Sequence, residues 1–155
     1  MPLLAWLLSA ALCTPLHLAL PCTCVPATPP SSRAAALEFA ASFDAVFEGR
    51  VLSVTTVPDS QAMSDHGAFH RWSEDRAHIA VTRRWKGAPT DTVRVHSAAQ
   101  TTMCGFGFEA GARVLMFATL DSLHTLTTSK CTPSLVWGAE AERLARLLGR
   151  PQSRR

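Results

Sequence analysis

The pair Cys22 and Cys24, one residue apart and followed by prolines, constrains this chain more than any other feature. It comes after an apolar run at residues 3–13, which is too short to span a membrane and is typical of a secretory signal peptide. Cleavage before Cys22 puts Pro21 at the last position of the leader, and cleavage after Ala19 leaves two further residues on the mature chain. The sequence leaves both positions open.

The cysteines that follow the leader are even in number. Removing residues 1–21 leaves four of the five, namely Cys22, Cys24, Cys104 and Cys131. An even number in a secreted chain favours disulfides, and a Cys22–Cys24 bond would close a small, strained ring. We therefore expect each of these two to pair with a distant cysteine, in either of two arrangements. A zinc site built from the four thiolates is the rival interpretation, although zinc ligands are more typically spaced by two residues.

Composition and charge argue against several functional classes. The 155 residues suit one domain, and the net charge of +3 is dispersed apart from Arg154 and Arg155 at the end. No basic patch is interleaved with aromatic residues, so we expect no nucleic-acid partner. No nucleophile motif is present, so we expect no enzymatic activity and no cofactor of the protein's own. No later segment is long and apolar enough to be a membrane span.

Alternating apolar residues predict about five strands, at residues 44–57, 75–85, 91–97, 112–120 and 123–129. In the first strand Gly49 suggests a bulge or a bend. In the second, Trp85 falls on the inward face, and in the third, His96 falls on the outward face. The polar, aperiodic residues 58–74 predict a long exposed loop.

Helices are predicted at both ends of this strand region. Residues 33–43 form one, with Ser31 or Ser32 as its cap and with Leu37, Ala40 and Ala41 on one face. Residues 136–149 form the other, with an apolar stripe of Trp137, Ala141, Leu144 and Leu148. Strands that follow one another without βαβ alternation indicate an antiparallel barrel. The prediction is an all-β-dominated fold, a five-stranded Greek-key barrel of the oligonucleotide/oligosaccharide-binding (OB) type with flanking N- and C-terminal helices.

Four stretches carry a resemblance to a known family. They are CTCVP at 22–26, DAVFEGRV at 44–51, SAAQTTMCG at 97–105 and TTSKC at 127–131. In this order and at these separations they resemble the inhibitory domain of the tissue inhibitors of metalloproteinases (TIMPs), a netrin-like fold. The similarity covers most of residues 22–135. The Cys-x-Cys pair alone is a weak signal, and the combination of all four stretches is fairly specific to this fold.

The resemblance implies how the chain is organised. A signal peptide at 1–21 precedes a netrin-like domain at 22–149, and a disordered basic tail occupies 150–155. The implied disulfides are Cys22–Cys104 and Cys24–Cys131, which would pin the N-terminal segment onto the barrel. We expect a secreted, extracellular or periplasmic, monomeric protein.

The resemblance also implies a metalloendopeptidase inhibitor, whose partner is a secreted zinc metalloprotease. The amine and carbonyl of Cys22 would bind the zinc of the target protease, and the side chain of Thr23 would enter its specificity pocket. The implied protease-contacting ridge comprises Cys22, Thr23, Cys24, Val25, Pro26, Thr101, Thr102, Met103 and Cys104. This mechanism needs cleavage before Cys22, because only then is the amine free. A non-inhibitory netrin-like module that binds other secreted proteins is the alternative.

Overall fold

The computed structural model describes Cys24 and residues 30–58, 73–88, 90–99 and 104–153. Its elements are α1 (Arg33–Ala41), β1 (Ala45–Val57), β2 (Glu74–Lys86), β3 (Thr92–Ala98), β4 (Arg113–Leu120), β5 (Leu126–Thr127), β6 (Leu135–Val136) and α2 (Ala139–Leu148). Most of the predicted loop at 58–74 lies outside the described residues, and its last residue already begins β2. Neither described helix is long and apolar enough to cross a membrane.

Five of the strands form a closed ring. The order is β1-β2-β3-β5-β4, and β4 pairs back onto β1. Neighbouring strands are antiparallel except for β3 and β5, which run parallel. The short β6 pairs with β4 outside this ring. The prediction of a mostly-strand fold with a five-strand ring and a helix at each end is confirmed.

Alternate residues of the strands fill the inside of the ring. Phe47, Val51, Ile79, Val95 and Met116 are at most 1% exposed and belong to one cluster. Successive side chains of a strand point to opposite faces, which is why every second apolar residue reaches this interior. Burying a side chain of this size stabilises the fold by about 1.5–3 kcal/mol.

The predicted bulge occurs beside Gly49, with its extra residue on the partner strand. Glu48 pairs with Arg83 and Gly49 pairs with Val81, so Thr82 has no paired residue on β1. A Cβ atom built on Gly49 would lie 2.5 Å from a methyl carbon of Ile79, which explains why glycine stands where the strands approach so closely.

This bulge also corrects the prediction that Trp85 faces the interior. An extra residue shifts the alternation by one, so Trp85 points to the opposite face from Val81. Trp85 itself has no paired residue on β1, since Arg84 pairs with Phe47 and Lys86 with Val46. Trp85 accordingly packs in a second apolar cluster on the outside of the ring. Its indole Nε1 donates to the carbonyl of Gly149 at 2.9 Å, at the end of α2.

The two helices cover that outer face. Ala36 and Ala40 of α1 and Leu144 and Leu148 of α2 pack against Phe117 of β4. The predicted face of α1 is correct at Ala40 and wrong at Leu37 and Ala41, which are exposed; the buried pair is Ala36 and Ala40, four residues apart, whose small side chains let the helix approach the strands. The predicted Ser32 cap is confirmed, since its Oγ accepts from the Ala35 N–H at 3.2 Å.

Two predicted elements are shorter in the structure. The last predicted strand, 123–129, contracts to β5, because Asp121 Oδ1 accepts from the N–H groups of Leu123 and Thr125 at 2.8 Å each and holds a turn there. The predicted C-terminal helix, 136–149, begins only at Ala139, since the chain first forms β6. Trp137 therefore lies before α2 rather than on it.

Candidate functional site: the disulfide-linked end of the barrel

A disulfide ties the N-terminal segment to the far end of the chain. Cys24 is bonded to Cys131 across 107 residues, and their Cα atoms are 5.1 Å apart. Cys131 lies in the turn that follows β5, so the bond attaches Cys24 beside the ring. This is the pairing that the TIMP resemblance implies.

A third cysteine lies at the same place. The Sγ atoms of Cys24, Cys104 and Cys131 are all within 4.8 Å of one another. Cys104 is also disulfide-bonded, to a partner that is not among the described residues, so the pairing Cys22–Cys104 stays a prediction. The carbonyl of Cys104 accepts from the Lys130 N–H at 2.7 Å, which joins the β3–β4 connection to the turn after β5.

This sulfur cluster does not fit the rival interpretation of a zinc site. Zinc binds cysteine as the thiolate, and a sulfur in a disulfide has no such charge to offer. All three described cysteines are in disulfides. The cluster is therefore suited to holding chain segments together rather than to coordinating a metal of its own.

Buried hydroxyl groups fix the turn that carries Cys131. Thr128 Oγ1 lies 2.9 Å from Ser134 Oγ and 2.7 Å from Thr132 Oγ1, and Ser134 Oγ accepts from the Phe117 N–H at 2.9 Å. Hydroxyls can both donate and accept, so a short chain of them satisfies backbone groups that no strand partner reaches. The available signal was the hydroxyl-rich run TTSKCTPS at 127–134, whose first five residues contributed to the family resemblance but were not interpreted as a hydrogen-bonded turn.

The structure places part of the predicted ridge. It brings Cys24 and Cys104 together at this end of the barrel. The other ridge residues lie outside the described residues, namely Cys22, Thr23, Val25, Pro26, Thr101, Thr102 and Met103. Their roles stay predictions that follow from the resemblance.

Sequence reasoning missed a buried carboxylate on the outer face of the ring. The alternation of the first strand predicts Glu48 on the opposite face from Phe47, yet the Glu48 side chain is only 5% exposed. One of its oxygens accepts from Arg113 Nε at 2.7 Å, and the other accepts from Arg83 Nε. A buried carboxylate is stable only when paired in this way. Glu48 lies opposite Arg83 on β2, and β4 brings Arg113 to it, an arrangement that only the strand register reveals.

A second buried carboxylate corrects the prediction for His96. This histidine was expected on a solvated face, but it is 6% exposed, and its Nδ1 lies 2.7 Å from Glu74 Oε1. The same oxygen accepts from Arg76 Nε at 2.8 Å. His96 pairs with Thr127 of β5, and this neighbouring strand and the chain after it help to cover the imidazole.

No protein-family profile matches the chain, and no curated protein matches it either. What the described residues define is a closed five-strand ring, covered by two helices, with a disulfide-linked N-terminal segment at one end.

Proposed function

We propose that this protein is a secreted, TIMP-like inhibitor of zinc metalloendopeptidases, built on a Greek-key, OB-type, netrin-like barrel with two disulfides. The observation that carries the proposal is the Cys24–Cys131 bond. It fixes a residue near the predicted mature N-terminus to the turn after β5, beside the connection that ends in Cys104. Cys24 and Cys104 both belong to the protease-contacting ridge that the resemblance implies.

The Cys24–Cys131 disulfide matters because it is only two residues along the chain from Cys22, whose backbone atoms are predicted to bind the zinc. Cys22 precedes Cys24 by two residues, and two residues of fully extended chain span at most about 7 Å. The α-amine of a chain that begins at Cys22 is therefore confined close to the disulfide. Confinement before binding lowers the ordering cost of association, which is what a rigid inhibitor needs.

The chemistry of the proposed inhibition uses the backbone of Cys22. A neutral α-amine and the adjacent carbonyl oxygen can together bind the open coordination position of a catalytic zinc. The ordinary pKa of such an amine is about 7.7–8.0, so deprotonation near neutral pH costs little. The Thr23 side chain, next along the chain, would fill the specificity pocket of the protease. The zinc belongs to the target and not to this protein.

The proposal is tested by assaying the purified mature protein against a panel of secreted zinc endopeptidases. We expect stoichiometric inhibition of at least one. The substitution Thr23→Arg should weaken it at least about 100-fold, equivalent to about 2.7 kcal/mol, because a long charged side chain cannot enter a pocket that accepts threonine.

The control carries the same substitution elsewhere. Thr55→Arg places an arginine on an exposed position of β1, and inhibition should be unchanged. Equal loss in both variants, or no inhibition by the unmodified protein of any protease in the panel, would contradict the proposal.

The alternative is a netrin-like interaction module that inhibits no protease. The surface formed by Arg83, Arg113 and Trp137 favours it, because the chelating mechanism gives this charged and aromatic surface no role. A module would keep its partner binding in Thr23→Arg.

A further inference from the structure

An open pocket of about 450 Å³ lies between the outer face of the ring and α2. Its lining residues are Arg83, Arg113, Trp137, Glu142, Ala145, Arg146 and Gly149. Three of these carry guanidinium groups and one carries a carboxylate. Of the cysteines that the structure describes, Cys24, Cys104 and Cys131, none is among its lining residues.

Two of the guanidinium groups are held in place by Glu48. Arg113 donates to Glu48 Oε1 from both Nε and Nη2 at 2.7 Å, and Arg83 donates to Oε2 from Nε and Nη2. Each arginine has five N–H donors and uses only one edge of its guanidinium here. Within the part of the chain that the structure describes, the Nη1 groups of Arg83 and Arg113 have no hydrogen-bond partner.

Tryptophan rings fix the same two groups from a second side. The guanidinium carbon of Arg113 lies 3.6 Å from the centre of the Trp137 ring, and that of Arg83 lies 5.4 Å from both Trp85 and Trp137. A guanidinium that is stacked and hydrogen-bonded has lost most of its side-chain freedom before any ligand arrives. The arginine side chains are still 40% and 44% exposed, so their remaining donors are accessible.

The charges in this pocket do not cancel. Glu48 supplies one negative charge for two arginines, and it lies beneath them rather than on the pocket surface. Arg146 adds a third positive charge from α2. Its ion pair with Glu142, at 3.0 Å, joins two side chains that are 66% and 58% exposed, and such pairs are weak in water. A ligand anion can therefore compete for Arg146.

We propose that this pocket binds a phosphate-type oxyanion, either free or as the terminal group of a monoester. A carboxylate presents two oxygens in one plane and is satisfied by a single guanidinium edge. A tetrahedral dianion presents oxygens in several directions and can accept from more than one guanidinium group, and Arg83, Arg113 and Arg146, which come from β2, β4 and α2, all line this pocket. The proposal is independent of protease inhibition.

The test is a titration of the full mature protein, labelled with ¹⁵N, with inorganic phosphate at pH 7.5 and constant ionic strength. We expect the indole N–H resonance of Trp137 to shift and to saturate. A matched titration with sodium chloride should produce no saturable shift.

Variants on α2 make the test specific without disturbing the contacts of Glu48 with Arg83 and Arg113. Arg146→Gln should weaken phosphate binding about tenfold, because it removes one charge-assisted contact from an exposed position. Glu142→Gln should strengthen binding about two- to fivefold, because it removes the competing carboxylate. Arg94→Gln, an exposed arginine of β3 that does not line this pocket, is the charge-matched control and should bind like the unmodified protein.

O-phosphoserine distinguishes the two sources of the group. Binding of phosphoserine at least as tight as that of phosphate assigns the site to a monoester on a larger molecule, whereas binding of phosphate alone assigns it to the free ion. The proposal is overturned if neither probe gives a saturable shift, or if Arg146→Gln and Arg94→Gln weaken binding equally. Either result would leave Arg83 and Arg113 with a purely structural role around Glu48.

Discussion

The interior of the barrel and its disulfide-linked end are held together by different physical means. The interior is apolar and depends on side chains such as Phe47 and Ile79 that have no contact with water. At the disulfide-linked end, a covalent bond together with buried hydroxyls joins the segments that the structure describes. The comparison shows that apolar burial determines the barrel, whereas the disulfide determines where the N-terminal segment lies.

This separation has a functional consequence. Apolar burial acts wherever the ring closes, so it specifies the barrel without specifying where a chain end lies. The disulfide between Cys24 and Cys131 fixes the position of the N-terminal segment, since it joins two residues that are 107 positions apart in the chain. Changes in the interior should therefore affect the whole fold, and changes at the disulfide should affect the N-terminal segment most.

The largest expected effect is in the interior. Phe47→Ala removes a completely buried ring and should lower the free energy of unfolding by about 3–5 kcal/mol, through lost transfer energy and the cavity left behind. Denaturant unfolding followed by far-UV circular dichroism measures it. Leu52→Ala, on the same strand but 54% exposed, should change stability by less than about 0.5 kcal/mol. Similar losses for both variants would contradict the distinction.

A smaller effect on stability is expected at the disulfide. The double substitution Cys24→Ala with Cys131→Ala should lower the free energy of unfolding by about 2–4 kcal/mol, because the unfolded chain regains the freedom that a long loop closure removes. Far-UV circular dichroism should show the same strand content as the unmodified protein. The double variant should remain folded but should inhibit the proposed target protease far more weakly than the unmodified protein does. A double variant that inhibits as well as the unmodified protein would show that the anchor has no functional role.

The smallest expected effect lies outside both regions, on the exposed face of α2. Arg143 Nη2 donates to Glu140 Oε1 at 2.7 Å, and this hydrogen bond holds the pKa of Glu140 below its ordinary value of 4.5. The stability that the pair contributes is therefore present above that value and is lost as the pH falls through the folded pKa. Carbon-detected NMR titration should show the lowered pKa, and Arg143→Gln should return it towards 4.5. An unchanged titration in that variant would contradict the assignment.

The sequence predicted those features that depend on local periodicity. The period of the apolar residues predicted the extent of β1, the number of strands in the ring and the apolar stripe of α2 at Leu144 and Leu148. The residue type before α1 predicted its Ser32 cap. Errors arose where a contact between distant segments overrode the pattern. The extra residue at Thr82 put Trp85 on the outside of the ring rather than the inside, and no residue pattern within β2 alone predicts that shift.

The candidate sites show the same limit. Cys24 and Cys131 stood out because cysteine chemistry is specific and because an even number of cysteines in a predicted secreted chain favours disulfides. Glu48 did not stand out, because a glutamate in an alternating strand is usually solvated. It becomes a buried ion pair only because β2 and β4 bring Arg83 and Arg113 to it from 35 and 65 residues away.

The central claim is that a disulfide-anchored Cys22 presents a free α-amine to a protease zinc. The most direct measurement is the N-terminal sequence and intact mass of the secreted protein before and after reduction. The account predicts a chain that begins at Cys22 and is lighter than its reduced form by four hydrogen atoms, two for each disulfide. A chain that begins at Leu20 or earlier, or one with free thiols at these cysteines, would contradict it, because the amine would then be blocked or the segment unanchored.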